Sequence, residues 1–187
     1  MPKKSKKPAR PETEKNRILD KIGAYDALVI LKALAREDEA TANRIKQIAL
    51  EYLRDVDIEG IAGQVFSSLE TIDVEDVWEQ SGSTRFGYVE PIDRAWEMFE
   101  ETLEPFIEEL KKYLELSMHT EAKNYCMGIL KGIYQFDMRS ESAYKEWVED
   151  APYENFRRVL NDWKKNCENP EDVQDMEEFV KQSFPGW

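Results

Sequence analysis

Apolar residues recur along this chain at the spacing of a single helix face. Ile45, Ile48, Ala49, Tyr52 and Leu53 fall at i, i+3, i+4, i+7 and i+8, which puts them on one side of an α-helix. Ile58, Ile61, Ala62, Val65, Phe66, Leu69 and Ile72 repeat the pattern, as do Trp96, Phe99, Leu103, Phe106, Leu110 and Leu114. Further stripes run through Ala122, Tyr125, Cys126, Ile129 and Ile133, then Phe156, Val159, Leu160 and Trp163, then Val173, Met176, Phe179 and Val180. No segment keeps up an apolar/polar alternation, so no strand is predicted.

The breaks between stripes carry their own chemistry. Asp55–Asp57 separates two helices, and Asp73 reads as an N-cap with Asp76 in the capping-box position. Pro91, Pro152 and Pro170 suit the first turn of a helix, where a missing N–H costs nothing. Pro105 lies inside an apolar pattern and is expected to kink or restart its helix. Residues 117–120 make a short connection, which sets the flanking helices side by side and antiparallel. The expected fold is all-α: roughly eight to ten helices as antiparallel hairpins, stacked as a short superhelix or an irregular bundle. No internal self-similarity chooses between the two.

Charge adds a boundary. The first 17 residues hold seven basic and two acidic side chains, a net +5, against −13 for the whole chain. With Pro2, Pro8 and Pro11 and no apolar anchor, this stretch reads as a disordered basic tail, leaving 18–187 as one helical domain. The acidic remainder should repel duplex nucleic acid. The longest apolar run, Ala27–Leu31, is far short of a membrane span, and PETEKNR follows the basic start where a signal peptide needs apolar residues. Two cysteines, Cys126 and Cys167, make no disulfide framework and suit a reducing cytoplasm. Both are expected to be free thiols.

Gly82 and Gly87, in SGSTRFGYVEP, have the separation of the two glycines of a phosphate-binding loop. The reading fails, because Tyr88 and Val89 stand where lysine and Ser/Thr are needed, and VEDVWEQ before Gly82 is helical by composition. Two positive-φ positions leading into Pro91 account for the glycines. Arg85 and Tyr88 are the residues of this bend that could meet a partner. Glu90 and Asp93 already occupy the positive end of the next helix, so a pairing of Arg85 with a carboxylate inside the protein is the main expectation. The block GSTRFGYVEP with AWEMFEETLEPF, and the later CMGILKGIY, resemble an uncharacterised group of prokaryotic all-helical, helical-repeat-like proteins over about residues 25–165. The resemblance implies a fold and no activity, cofactor or catalytic residue.

The remaining chemistry is sparse. His119 is the only histidine. It is placed in the connection before Ala122, as a surface or capping residue, and has no partners for a triad or a two-histidine metal site. The many carboxylates lie mostly opposite the apolar stripes, and a di-iron bundle would need two Glu-x-x-His pairs. No metal or cofactor is expected. Gly128 and Gly132 form Gly-x-x-x-Gly on a helix, and each costs about 1 kcal/mol relative to Ala. A close approach by another helix is the expected reason. Trp187, ending SFPGW, either docks or protrudes toward a partner.

These observations lead to a non-catalytic, cytoplasmic helical scaffold that binds a protein or peptide partner, with Arg85, Tyr88 and Trp187 as the residues named for contact. The alternative is a nucleic-acid-associated factor using the basic tail. A third reading, an enzyme with clustered acids in an inner cleft, requires carboxylates with displaced pKa values there.

Overall fold

The computed structural model describes residues 20–85 and 87–187. The basic tail, residues 1–17, lies outside them. Among the described residues there are eight α-helices, one 3-10 helix and a two-stranded antiparallel sheet, so the fold is all-α as the periodicity predicts. Contacts within the chain cluster into two compact units that meet at Leu53 and Arg54. The stripe pattern alone reads 18–187 as one domain.

The first unit contains helices α1 (Ala24–Glu37) and α2 (Glu39–Leu53). A single extended residue, Asp38, joins them. Its carboxylate accepts from the Thr41 amide at 2.8 Å and the Thr41 hydroxyl at 2.6 Å, and so caps α2. The two helices pack on each other, with Ala27, Ala35, Ile45, Leu50 and Leu53 half-buried. No residue of either helix is buried.

The second unit holds α3 (Ile58–Glu70), α4 (Val74–Glu79), β1 (Gly82–Thr84), β2 (Gly87–Val89), α5 (Pro91–Glu115), α6 (His119–Arg139), the 3-10 helix Ala143–Trp147, α7 (Ala151–Asn166) and α8 (Pro170–Ser183). Aspartate and asparagine side chains start three of these helices. Asp57 accepts from the Glu59 amide, Asp73 from Glu75 and Asn169 from Glu171, each satisfying an amide that the first turn leaves unpaired. Prolines 91, 152 and 170 sit at helix starts, as expected.

Helix α6 is the centre of this unit and packs on α3, α5, α7 and α8. A stacked array lets each hairpin touch only its neighbours, so residues 54–187 form a bundle around one helix. The α3–α6 crossing is close because glycine lets it be. A Cβ on Gly132 would stand 2.5 Å from Val65 Cβ and 2.8 Å from the Ala62 carbonyl oxygen. One on Gly128 would stand 2.7 Å from Ile61 Cβ. The close approach expected of Gly-x-x-x-Gly is therefore present, with α3 as the partner. Lys131 reaches across the same crossing to Glu59. Below it, Phe99 meets Phe136 edge-on at 5.7 Å, and the buried Tyr144 donates its hydroxyl to the Ala95 carbonyl at 2.5 Å.

Two sequence expectations need correction, and a third is narrowed. Residues 82–84 and 87–89 pair as the strands of a β-hairpin, with Gly82 opposite Val89, Ser83 opposite Tyr88 and Thr84 opposite Gly87. Three-residue strands are too short to show alternation, and two glycines hide their pattern. The expected positive φ is found at both, 89° at Gly82 and 133° at Gly87. Of the two outcomes expected of Pro105, the restart does not occur: α5 runs unbroken from Pro91 to Glu115 with Pro105 inside it. The carbonyl that loses its hydrogen bond there belongs to Glu101, and Glu101 and Pro105 are both exposed, so water can replace the missing donor. His119 is the exposed first residue of α6, not part of the connection before it.

Candidate functional site

An apolar groove opens between α5 and α7, with a cavity of about 190 Å³. Its floor is Leu110, Val159 and Trp163, each less than 5% exposed. Ile107 and Leu114, half-buried, form its mouth. The groove follows from the two stripes: residues 103, 107, 110 and 114 repeat along α5, and 156, 159, 160 and 163 along α7. Charged groups stand at the rim, and each is held. Lys111 donates to Glu108 at 2.6 Å, Arg158 donates to Asn155 Oδ1 at 2.6 Å, and Asp162 accepts from Lys165 at 3.0 Å. An apolar floor with a polar, pre-oriented rim is suited to receiving the apolar face of a helix or an extended segment.

The residues named from sequence fall in two neighbourhoods. Arg85 and Tyr88 lie on the β-hairpin, both exposed, with Tyr88 opposite Ser83. Beside the hairpin, Arg94 makes a carboxylate fork. Its guanidinium donates to both oxygens of Glu101 at 2.9 and 2.8 Å, to Glu97 at 3.0 Å and to Gln80 at 2.7 Å. The hydrogen bonds to Glu101, and then to Glu97, raise the Arg94 pKa against the opposing effect of burial, and the same contact lowers that of Glu101. A reader of the sequence could have found this pairing from the i, i+3 and i, i+7 spacing of Arg94, Glu97 and Glu101.

Trp187 docks. Its ring meets Phe156, Tyr134 and Tyr153 edge-on at 5.0, 5.3 and 5.5 Å. Phe184 joins the same cluster at 5.3 Å from Phe156. Trp187 also walls a cleft of about 220 Å³ between α7 and α8, with Leu160, Val180 and Phe184. His119 borders an open concavity with Asn169 and Asp172. Cys126 is buried and Cys167 half-buried, both as free thiols, and burial pushes the Cys126 pKa well up. Among the described residues no group of three His, Cys, Asp or Glu is placed to hold a metal ion.

The carboxylates with displaced pKa values, Asp38, Glu101, Glu108 and Asp172, are all displaced downward. The main cause is a hydrogen bond from Thr41, Arg94, Lys111 and Lys123 respectively. No described helix is long and apolar enough to cross a membrane. Compared with known proteins, the chain matches no family model, no curated protein and no solved structure. The groove is the candidate feature that the sequence does not show. Its residues read as core, since periodicity marks an apolar face without showing where two such faces diverge.

Proposed function

We propose that this protein is a non-catalytic helical scaffold that binds a protein or peptide partner, and that it works in the cytoplasm. The α5–α7 groove carries the reading: a closed apolar floor at Trp163 and Val159, a mouth at Ile107 and Leu114, and a rim of paired charges. A partner helix presenting apolar residues at i, i+3 and i+4 fits this chemistry, with the rim fixing its orientation. The same proposal keeps the chain with the group of prokaryotic all-helical proteins whose blocks it resembles.

The test is a selection from a displayed peptide library on the full chain, repeated on Leu114→Arg. Leu114 is half-buried at the mouth, so a charge there blocks the groove and spares the floor. Peptides bound by the native chain and lost on Leu114→Arg, with the melting temperature unchanged, support the groove. Peptides bound equally by both proteins place recognition elsewhere and refute it.

A further inference from the structure

We propose that the α5–α7 groove takes a basic partner: an amphipathic helix whose apolar stripe is bordered by lysine or arginine on the side that faces α5. This rests on the groove being the docking site, and adds the charge of its occupant.

The rim is uneven in charge. Along α5, Glu100, Glu104, Glu108, Lys111 and Glu115 fall at i, i+4, i+8, i+11 and i+15. They form one exposed stripe beside Ile107 and Leu114, because helical residues three and four apart are neighbours. Along α7, Arg158, Asp162 and Lys165 do the same on the groove side of Val159. The two rims together hold five acidic and three basic side chains, a net −2. Each of the three bases already has a carboxylate. Arg158 stands 3.8 Å from Glu100, Lys165 stands 3.0 Å from Asp162, and Lys111 is shared between Glu108 at 2.6 Å and Glu104 at 3.6 Å. An acidic partner would meet cations that are taken, beside carboxylates in excess.

The wider field has the same sign. Residues 54–187 hold thirty-one acidic and fourteen basic side chains, a net −17. Such a field repels nucleic acid, anionic lipid and the same unit of a second copy. It attracts cationic partners and speeds their encounter. The groove adds what a purely basic segment cannot use, an apolar floor with about 190 Å³ of space for an anchoring side chain. From Ile107 to Leu114 is seven steps along α5, about 10 Å at 1.5 Å each. The partner's anchors are therefore those of two helical turns, at i, i+3, i+4 and i+7. Lysine or arginine beside them can lay its stem on the apolar mouth and hold its charge at the α5 rim.

The test is a helical peptide library with leucine fixed at i, i+3, i+4 and i+7, and with lysine, glutamine or glutamate allowed at the flanking positions. It is panned on the full chain at about 50 and 500 mM sodium chloride, and on rim and mouth variants. Glu104→Lys with Glu108→Lys reverses the α5 rim at side chains that are 52% and 61% exposed, so the melting temperature should hold. The native chain should enrich lysine along one flank. A selected peptide should bind the rim variant at least about tenfold more weakly, and lose a similar factor at the higher salt. Glu104→Gln with Glu108→Gln, which removes the excess without reversing it, should give a smaller loss. Leu114→Arg should bind none of the selected peptides. Binders lost on Leu114→Arg but without lysine enrichment, or indifferent to both rim variants, overturn the basic partner and leave the groove standing. Lysine-rich binders retained on Leu114→Arg are held by the acidic surface alone and overturn both. So does a library that yields no binder.

Discussion

Helices α3 and α6 approach each other so closely that at Gly128 and Gly132 a single added carbon meets Ile61, Val65 and the backbone of α3. Helices α1 and α2 are just as periodic, yet no residue of theirs is buried. The difference does not lie in the apolar stripes. It lies in the glycines where α3 and α6 cross, which no position of α1 or α2 matches. Helix α6 is packed by four others, and α1 and α2 pack on each other. Every buried hydrophobic side chain among the described residues accordingly lies between Ile61 and Phe184.

Truncation breaks this comparison most forcefully. Trp163 is 1% exposed and floors the α5–α7 groove. Trp163→Ala should cost about 3–5 kcal/mol in a denaturant titration, enough to threaten folding at 37 °C. Tyr52→Ala, which removes an equally aromatic but exposed side chain, should move the same transition by less than about 0.5 kcal/mol. Comparable losses would mean that the hairpin's apolar face is covered within the same cooperative unit.

The crossing itself supplies the next contrast, between two glycines of the core unit. Gly132→Ala drives a Cβ toward the Ala62 carbonyl, which is backbone and cannot rotate away. The expected cost is about 1–3 kcal/mol, or a melting temperature lower by roughly 2–10 °C, despite the better helix propensity of alanine. Gly63, exposed in α3, has nothing within 4 Å of an added Cβ. Gly63→Ala should therefore stabilise by about 0.5–1 kcal/mol. The same substitution changes sign with its surroundings, and thermal melts of the two variants read it directly. Equal shifts would show that the close crossing is absent.

How much of this was written in the sequence follows from the same distinction. The stripes gave the helices. Asp73, Pro91, Pro152 and Pro170 marked their starts, and Gly-x-x-x-Gly announced a close approach, because each is a local rule that its own residues satisfy. The β-hairpin was hidden, since three-residue strands with Gly82 and Gly87 in them have no period to read. Pro105 could not be decided from its own position: the helix continues through it, with Pro105 and Glu101 both on the exposed side of α5. The candidate site was least legible. Arg85, Tyr88 and Trp187 stand out in the sequence by their chemistry alone, whereas the groove depends on where α5 and α7 separate. That separation is a property of two helices together and appears in neither stripe.

The smallest expected effect concerns a third kind of contact, neither tight nor bare. Lys123 on α6 donates to Asp172 at 2.5 Å and Asp175 at 2.8 Å on α8, with the Lys123 and Asp172 side chains mostly buried. Burial works against the Lys123 charge, but the two carboxylates outweigh it and raise its pKa. The hydrogen bond from Lys123 chiefly lowers the pKa of Asp172 below its ordinary 3.8. The ionised Asp172 therefore favours the folded state fully only above that value. As the pH falls below 3.8 toward the lower folded value, the unfolded chain takes up the proton first and the advantage disappears. Asp172→Asn keeps an oxygen for Asn169 and removes the charge. At neutral pH it should cost a few tenths to about 1 kcal/mol, and the variant and the native chain should converge as the pH falls below the lowered folded value. A difference that persists undiminished in acid would mean that α8 is held by the packing of Met176 and Phe184 alone, and that the ion pair adds nothing to the bundle.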